Sequence, residues 1–113
     1  MRNLDPLTAA TLRTSGCQAV ALGIDTGSQR LLTDFYGHSF GVSETVQVVR
    51  ACSQAGIFVQ MHFTYPCPED DHHTRAESLR LARCAEPAAV TVGLPELVPG
   101  SAWHANARAF GFR

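Results

Sequence analysis

With 113 residues, the chain has room for one small domain, residues 1–113, and a modest core. Hydrophobic residues make up 45% and charged residues 17%, the balance of a globular rather than a disordered chain. A formal net charge of −1 argues against nucleic acid or an anionic membrane surface as a partner, and no apolar run reaches the roughly 20 residues of a spanning helix.

The first element opens at Asp5-Pro6, an Asp cap before a Pro, which predicts a short helix to about Thr14 with Gly16 as its stop. The opening MRNLDPLTAATLRTSG has no apolar signal core, so a cytoplasmic location is expected. Gln18 to Ile24 reads as a strand ending in GIDTGS. Ser43 is the expected N-cap of a second helix, with Glu44 favourable to its dipole. Val46, Val49, Cys52 and Ala55 recur there at helical spacing, and Gly56 ends it. Ile57 to Thr64 follows as a strand stopped by Pro66 and Pro68. A third helix is expected from about Asp71 to Ala85, with Thr74–Glu77 as an alternative start. Ala89 to Gly93 is the next strand, and a last short helix is expected near Trp103.

Helices alternating with short apolar strands indicate β-α-β crossovers and a parallel sheet, hence an α/β fold. Along the strands, Val20, Leu22 and Ile24 oppose Ala19, Ala21, Gly23 and Asp25. Ile57, Val59, Met61 and Phe63 oppose Phe58, Gln60, His62 and Thr64, and Val90 and Val92 oppose Ala89, Thr91 and Gly93. A doubly wound sheet is apolar on both faces. Here one face is mostly small or polar, which predicts a partial parallel β/α barrel of about three β/α units, with helices outside and a ligand space inside. Asp25, Thr64 and Gly93 should then share one end of the strands, with Val20, Val59 and Val90 beneath the helices.

Three segments resemble the radical S-adenosylmethionine superfamily, in the branch that often carries an additional cobalamin-binding domain. SGCQAVALGIDTGSQRLL is similar to that branch's AGC-then-GIESGS segment, and AGIFVQMHFTYPCPEDD to its fifth strand and following Gly-x-Pro-Gly-Glu loop. SLRLARCAEPAAVTVGLPELVPGSAW is similar to its next helix, sixth strand and Pro-Gly-Thr turn. The order and spacing match over nearly the whole chain. The resemblance implies half of a six-stranded barrel, the C-terminal half, belonging to an enzyme that binds S-adenosylmethionine and a 4Fe-4S cluster, with cobalamin in a separate domain. It also implies a cofactor-binding set of Asp25, Thr26, Gly27, Ser28, His62, Thr64 and Pro68, with Asp25 and Thr26 toward the ribose or methionyl part.

The matched region departs from the family in places. Family Glu and Ser are Asp25 and Thr26, and two family glycines of the fifth-strand loop align with Pro66 and Glu69, while Pro68 and an acid, Asp70, remain. The Cys-x-x-x-Cys-x-x-Cys motif that would hold the cluster is absent, and the region implied to carry it lies ahead of Met1. Cys17, Cys52, Cys67 and Cys84 are too widely spaced to replace it. No catalytic residue and no metal ligand is therefore expected in this chain, and no cofactor is expected to be held by it alone.

Plainer readings stand beside these. Asp25 to Ser28 also suit a capped strand-to-helix turn, and a lone His62 suits a structural histidine. His72 and His73 follow an acidic cluster, but adjacent histidines on a helix diverge by about 100°. As a whole the chain is read as a subunit that completes its barrel with an N-terminal half-barrel chain or by self-association, or as a non-enzymatic remnant or small metal-binding or interaction module.

Overall fold

The structure is a computed structural model that describes residues 4–96, 99–101 and 105. Helix α1 spans Pro6–Thr14. Its N-cap is Asp5, whose carboxylate accepts from the Thr8 N–H at 2.7 Å, with Pro6 in the first turn where no N–H is needed. Gly16, at φ 102, turns the chain into strand β1, Ala19–Asp25. A π-helical turn, Leu31–Phe35, leads to α2, Val42–Gln54. Strand β2 is Phe58–Thr64, α3 is His72–Ala85 and β3 is Ala89–Gly93. The helix expected near Trp103 lies outside the described residues.

One helix start differs from the sequence reading, and another is decided between the two it left open. Helix α2 begins at Val42, capped by the Gly41 backbone without a side-chain bond, and Ser43 lies inside its first turn. The Val42 N–H instead finds the side-chain carbonyl of Gln29 at 2.9 Å, a partner 13 positions earlier that local spacing does not reveal. Helix α3 starts on a reciprocal capping box between Asp71 and Thr74, which leaves Glu77 in the helix interior.

The three strands form one parallel sheet in the order β1-β2-β3. All three helices contribute to a single core on one of its faces. Ala9 of α1, Val49 and Cys52 of α2, and Leu81 and Ala85 of α3 join Leu22, Ile24, Val59, Met61 and Phe63 of the strands. Ile24, Val59 and Met61 are fully buried, each worth about 1.5–3 kcal/mol relative to exposure. The opposite face carries Gln60, His62, Thr64 and Thr91 half-buried, with Phe58 at 50% exposure. The alternation read from the sequence therefore holds, with one correction. Val20 and Val59 pack under helices, but Val90 is 46% exposed and Val92 62% exposed. They belong to the edge strand, and no described helix reaches over it.

Candidate functional site

The C-terminal ends of the strands gather the chain's polar side chains. β1 breaks register with β2 between Gly23 and Asp25, and Asp25 adopts a left-handed backbone with φ 68. That conformation is uncommon outside glycine, asparagine and aspartate. Its carboxylate is held by two neighbours. Thr64, the last residue of β2, donates its hydroxyl to Oδ1 at 2.9 Å, and His38 Nε2 lies 2.8 Å from Oδ2. Both His38 and Asp25 remain partly open to solvent, at 30% and 26% of their side-chain surface.

His38 is oriented by ring stacking. It lies 4.6 Å from the Phe40 ring and 5.8 Å from that of Tyr36, the latter nearly parallel at 3°. Tyr36 Oη in turn meets Cys67 Sγ at 2.6 Å. Burial drives the Tyr36 hydroxyl far above its ordinary pKa, and contact with Cys67 adds to the effect. Burial also raises the Cys67 thiol, with the Tyr36 hydrogen bond pulling the other way. Both groups therefore stay protonated at neutral pH, and Cys67 is not a thiolate ready for a metal or an electrophile.

The turn after Asp25 is satisfied by its own side chains and by α3. The Ser28 N–H donates to Thr26 Oγ1 at 3.1 Å, and the Leu31 N–H donates to Ser28 Oγ at 3.4 Å. Gly27 donates its N–H to Ser78 Oγ of α3 at 2.8 Å. A Cβ on Gly27 would come within 2.6 Å of the Glu77 carbonyl oxygen and the Ser78 Cα, so only glycine permits this approach. Thr26 and Ser28 are each 1% exposed. These three residues thus anchor the loop on α3 and fix where Asp25 points.

His62 lies on the polar face with its Nδ1 2.8 Å from Thr91 Oγ1, which also accepts from Gln60 Nε2 at 3.2 Å. A Cβ on Gly93 would lie 3.0 Å from the His62 ring, so Gly93 makes room for the imidazole. Thr64 pairs with Gly93 in the β2–β3 ladder, which brings the expected strand ends together at one end of a parallel sheet. Pro68 is exposed on the loop beyond β2. That loop is stiffened by Asp70, whose Oδ2 accepts from the Cys67 N–H at 2.9 Å and whose Oδ1 accepts from Thr74 Oγ1 at 2.8 Å.

Of the seven residues expected from the sequence, the structure joins Asp25 and Thr64 directly. It places His62 on the polar sheet face, Thr26 to Ser28 in the supporting turn, and Pro68 on the rim. His38, Tyr36 and Cys67 were not anticipated. The run FYGHSF was the only sequence signal for Tyr36 and His38, an aromatic-rich stretch with a histidine just after the strand-end turn. The four cysteines are on separate elements, with Cys52 and Cys67 buried and Cys84 exposed. Among the described residues no group of three or more His, Cys, Asp or Glu could hold a metal ion, and no helix is long and apolar enough to cross a membrane.

No family model matches the chain, and no curated protein matches it significantly. Solved structures do. A radical S-adenosylmethionine methyltransferase, TsrM from Kitasatospora setae, with cobalamin and a 4Fe-4S cluster bound, matches with a TM-score of 0.70 over 80% of this chain at 21% identity. The same methyltransferase with tryptophan substrate and an S-adenosylmethionine analogue, aza-SAM, gives the same score and identity. At this identity the likeness establishes the fold. The chain covers only 17% and 18% of those structures.

Proposed function

We propose that the chain supplies the C-terminal strands of the cofactor-binding barrel of a radical S-adenosylmethionine enzyme. One observation carries this reading. Asp25 and Thr64 are hydrogen-bonded at the C-terminal end of three parallel strands, the end at which β/α barrels bind ligands. The fold shared with a radical S-adenosylmethionine methyltransferase supports it.

The residues present fit the two cofactors unequally. Asp25, Thr64 and His62 offer a partly open carboxylate, a hydroxyl and an imidazole along one polar face, donors and acceptors of the kind that hold ribose hydroxyls or a methionyl amine. Thr26, Gly27 and Ser28 act by fixing the Asp25 backbone, and Pro68 borders the same end. A 4Fe-4S cluster does not fit: it needs thiolates converging from a compact segment, and the cysteines here are scattered, with Cys67 held protonated. The cluster ligands would belong to a partner half-barrel, and the chain by itself is not catalytic. A separate cobalamin domain and a cytoplasmic location are part of the same proposal. The small metal-binding module loses its basis, because His72 and His73 gather no third donor among the described residues.

The test is complementation. The chain is co-expressed with an N-terminal half-barrel carrying Cys-x-x-x-Cys-x-x-Cys, and S-adenosylmethionine binding is measured by equilibrium dialysis. Binding that appears only in the complex and weakens at least tenfold with Asp25→Asn supports the reading. A stable complex that binds S-adenosylmethionine equally well with Asp25→Asn rejects the role of this site. An in-frame cluster motif in the DNA just ahead of the Met1 codon would join the missing half to this chain, whereas a separate adjacent gene carrying the motif would identify a partner half.

A further inference from the structure

The polar face of the sheet holds a short chain of hydrogen bonds whose direction fixes what His62 can offer. Its members, Gln60 and His62 of β2 and Thr91 of β3, are all half-buried. His62 and Thr91 are partners in the β2–β3 ladder, and Gln60 precedes His62 by two positions on the same face. Thr91 Oγ1 accepts from Gln60 Nε2 at 3.2 Å and lies 2.8 Å from His62 Nδ1.

A hydroxyl has one proton to give and two lone pairs. The Gln60 amide occupies one lone pair, so the Thr91 proton remains to be donated. Among the described residues Thr91 Oγ1 has no third partner, and its proton therefore goes to His62 Nδ1. A neutral imidazole whose Nδ1 accepts carries its own proton on Nε2. The opposite direction would need the Gln60 carbonyl oxygen where the structure has the amide nitrogen. The Nε2 edge of the ring lies beside Gly93, where an added Cβ would come within 3.0 Å of Cε1 and Nε2. Gly93 pairs with Thr64, and Thr64 bonds Asp25, so Nε2 stands at the same end of the strands. It meets no partner among the described residues.

We infer that Gln60 and Thr91 are positioning residues that hold neutral His62 as its Nε2–H tautomer, presenting a hydrogen-bond donor to a ligand oxygen. The inference rests on the reading above that this end of the sheet binds the ligand. It makes the ligand atom beside His62 a hydroxyl or carboxylate oxygen rather than an amine.

Nitrogen-15 NMR of the full-length chain reads the tautomer without ligand, at a pH where imidazoles are neutral. His62→Asn assigns the signal among the five histidines. The proton is expected on Nε2 alone. Gln60→Glu replaces the amide donor by an acceptor, reverses the chain of bonds and should move the proton to Nδ1. Thr91→Val should admit both tautomers, and Thr91→Ser should restore the single form. A proton on Nδ1 in the parent, or unchanged tautomers in whichever of Gln60→Glu and Thr91→Val fold, overturns the positioning.

The ligand contact is read in the co-expressed complex with S-adenosylmethionine as the probe. His62→Asn should weaken binding about tenfold, while His62→Gln, whose amide nitrogen reaches the place of Nε2, should stay within about threefold of the parent. Parent affinity in His62→Asn, in a complex that Asp25→Asn still weakens, overturns the His62 contact and leaves the Asp25 reading standing. If Asp25→Asn has no effect either, the contact and that reading fail together.

Discussion

Thr64 donates its hydroxyl to the Asp25 carboxylate across the ends of two neighbouring parallel strands, at 2.9 Å. The bond ties the left-handed end of β1 to β2 and sets the direction of a carboxylate that His38 also meets. Thr64→Val keeps the side-chain shape and removes the donor. It should lower stability by about 1 kcal/mol, the usual worth of a single hydrogen bond, and Thr64→Ser should recover most of it. Urea unfolding of the three proteins measures this. Equal midpoints for Val and Thr would show that the bond contributes nothing.

Among the described glycines, Gly27 has the least room for a side chain. Gly27→Ala drives a Cβ into backbone atoms of α3 at 2.6 Å and should cost about 1–3 kcal/mol, as overpacking does. Gly23→Ala, with nothing within 4 Å of the added Cβ, is the control and should stay within about 1 kcal/mol. A thermal-melt comparison in which the two variants behave alike would contradict the docked turn.

Stability should fall in acid partly through two helix caps. The Thr8 and Thr74 backbone N–H bonds lower the carboxyl pKa values of Asp5 and Asp71 below the ordinary 3.8. A folded-state pKa below the unfolded one means the caps contribute fully above the carboxylate range, and lose that contribution as pH falls through the lowered values. Asp71→Asn caps without titrating. Its melting temperature should therefore decline less steeply from neutral pH into acid than that of the parent. Parallel declines would remove Asp71 from the account.

Thiol reactivity should sort by burial. Cys84 is exposed and should react with a disulfide reagent within the mixing time. Cys52 and Cys67 are buried with raised pKa values and should wait for unfolding. Mass spectrometry after partial labelling identifies the order. Early labelling of Cys67 at neutral pH would mean that the Tyr36 contact does not shield it.

Among the described residues the sheet has two open edges, β1 and β3, and a half-buried polar face, so it presents unpaired backbone groups to other chains. With a net charge of only −1, repulsion offers little protection. The isolated chain should therefore self-associate, with a melting temperature that rises with concentration. A monomer with a concentration-independent, cooperative transition would show that the sheet needs no partner.

Much of the fold was legible locally. Strand β3 falls on the expected residues, β1 and β2 differ from expectation by a residue at their ends, and the Asp5-Pro6 start holds, because period-two alternation and capping chemistry act over a few residues. The parallel sheet followed from the alternation of helices and strands, and that same order brought Asp25 and Thr64 to a common end. The α2 start was misplaced because its first N–H is satisfied by Gln29, a contact that no local pattern encodes.

Only the tertiary structure decided what each polar residue touches. Thr26, Gly27 and Ser28 read equally as a ligand loop or a capped turn. In the fold Thr26 and Ser28 accept N–H groups of their own turn, and Ser78 of α3, 51 positions away, takes that of Gly27. His38, stacked on aromatic rings, reaches Asp25, and burial keeps Cys67 protonated although its bond to Tyr36 pulls the other way. Hydrogen bonds and desolvation depend on distances of a few ångströms between segments far apart in the chain. Residue order therefore specified the strands and their common end, and packing alone assigned the partners.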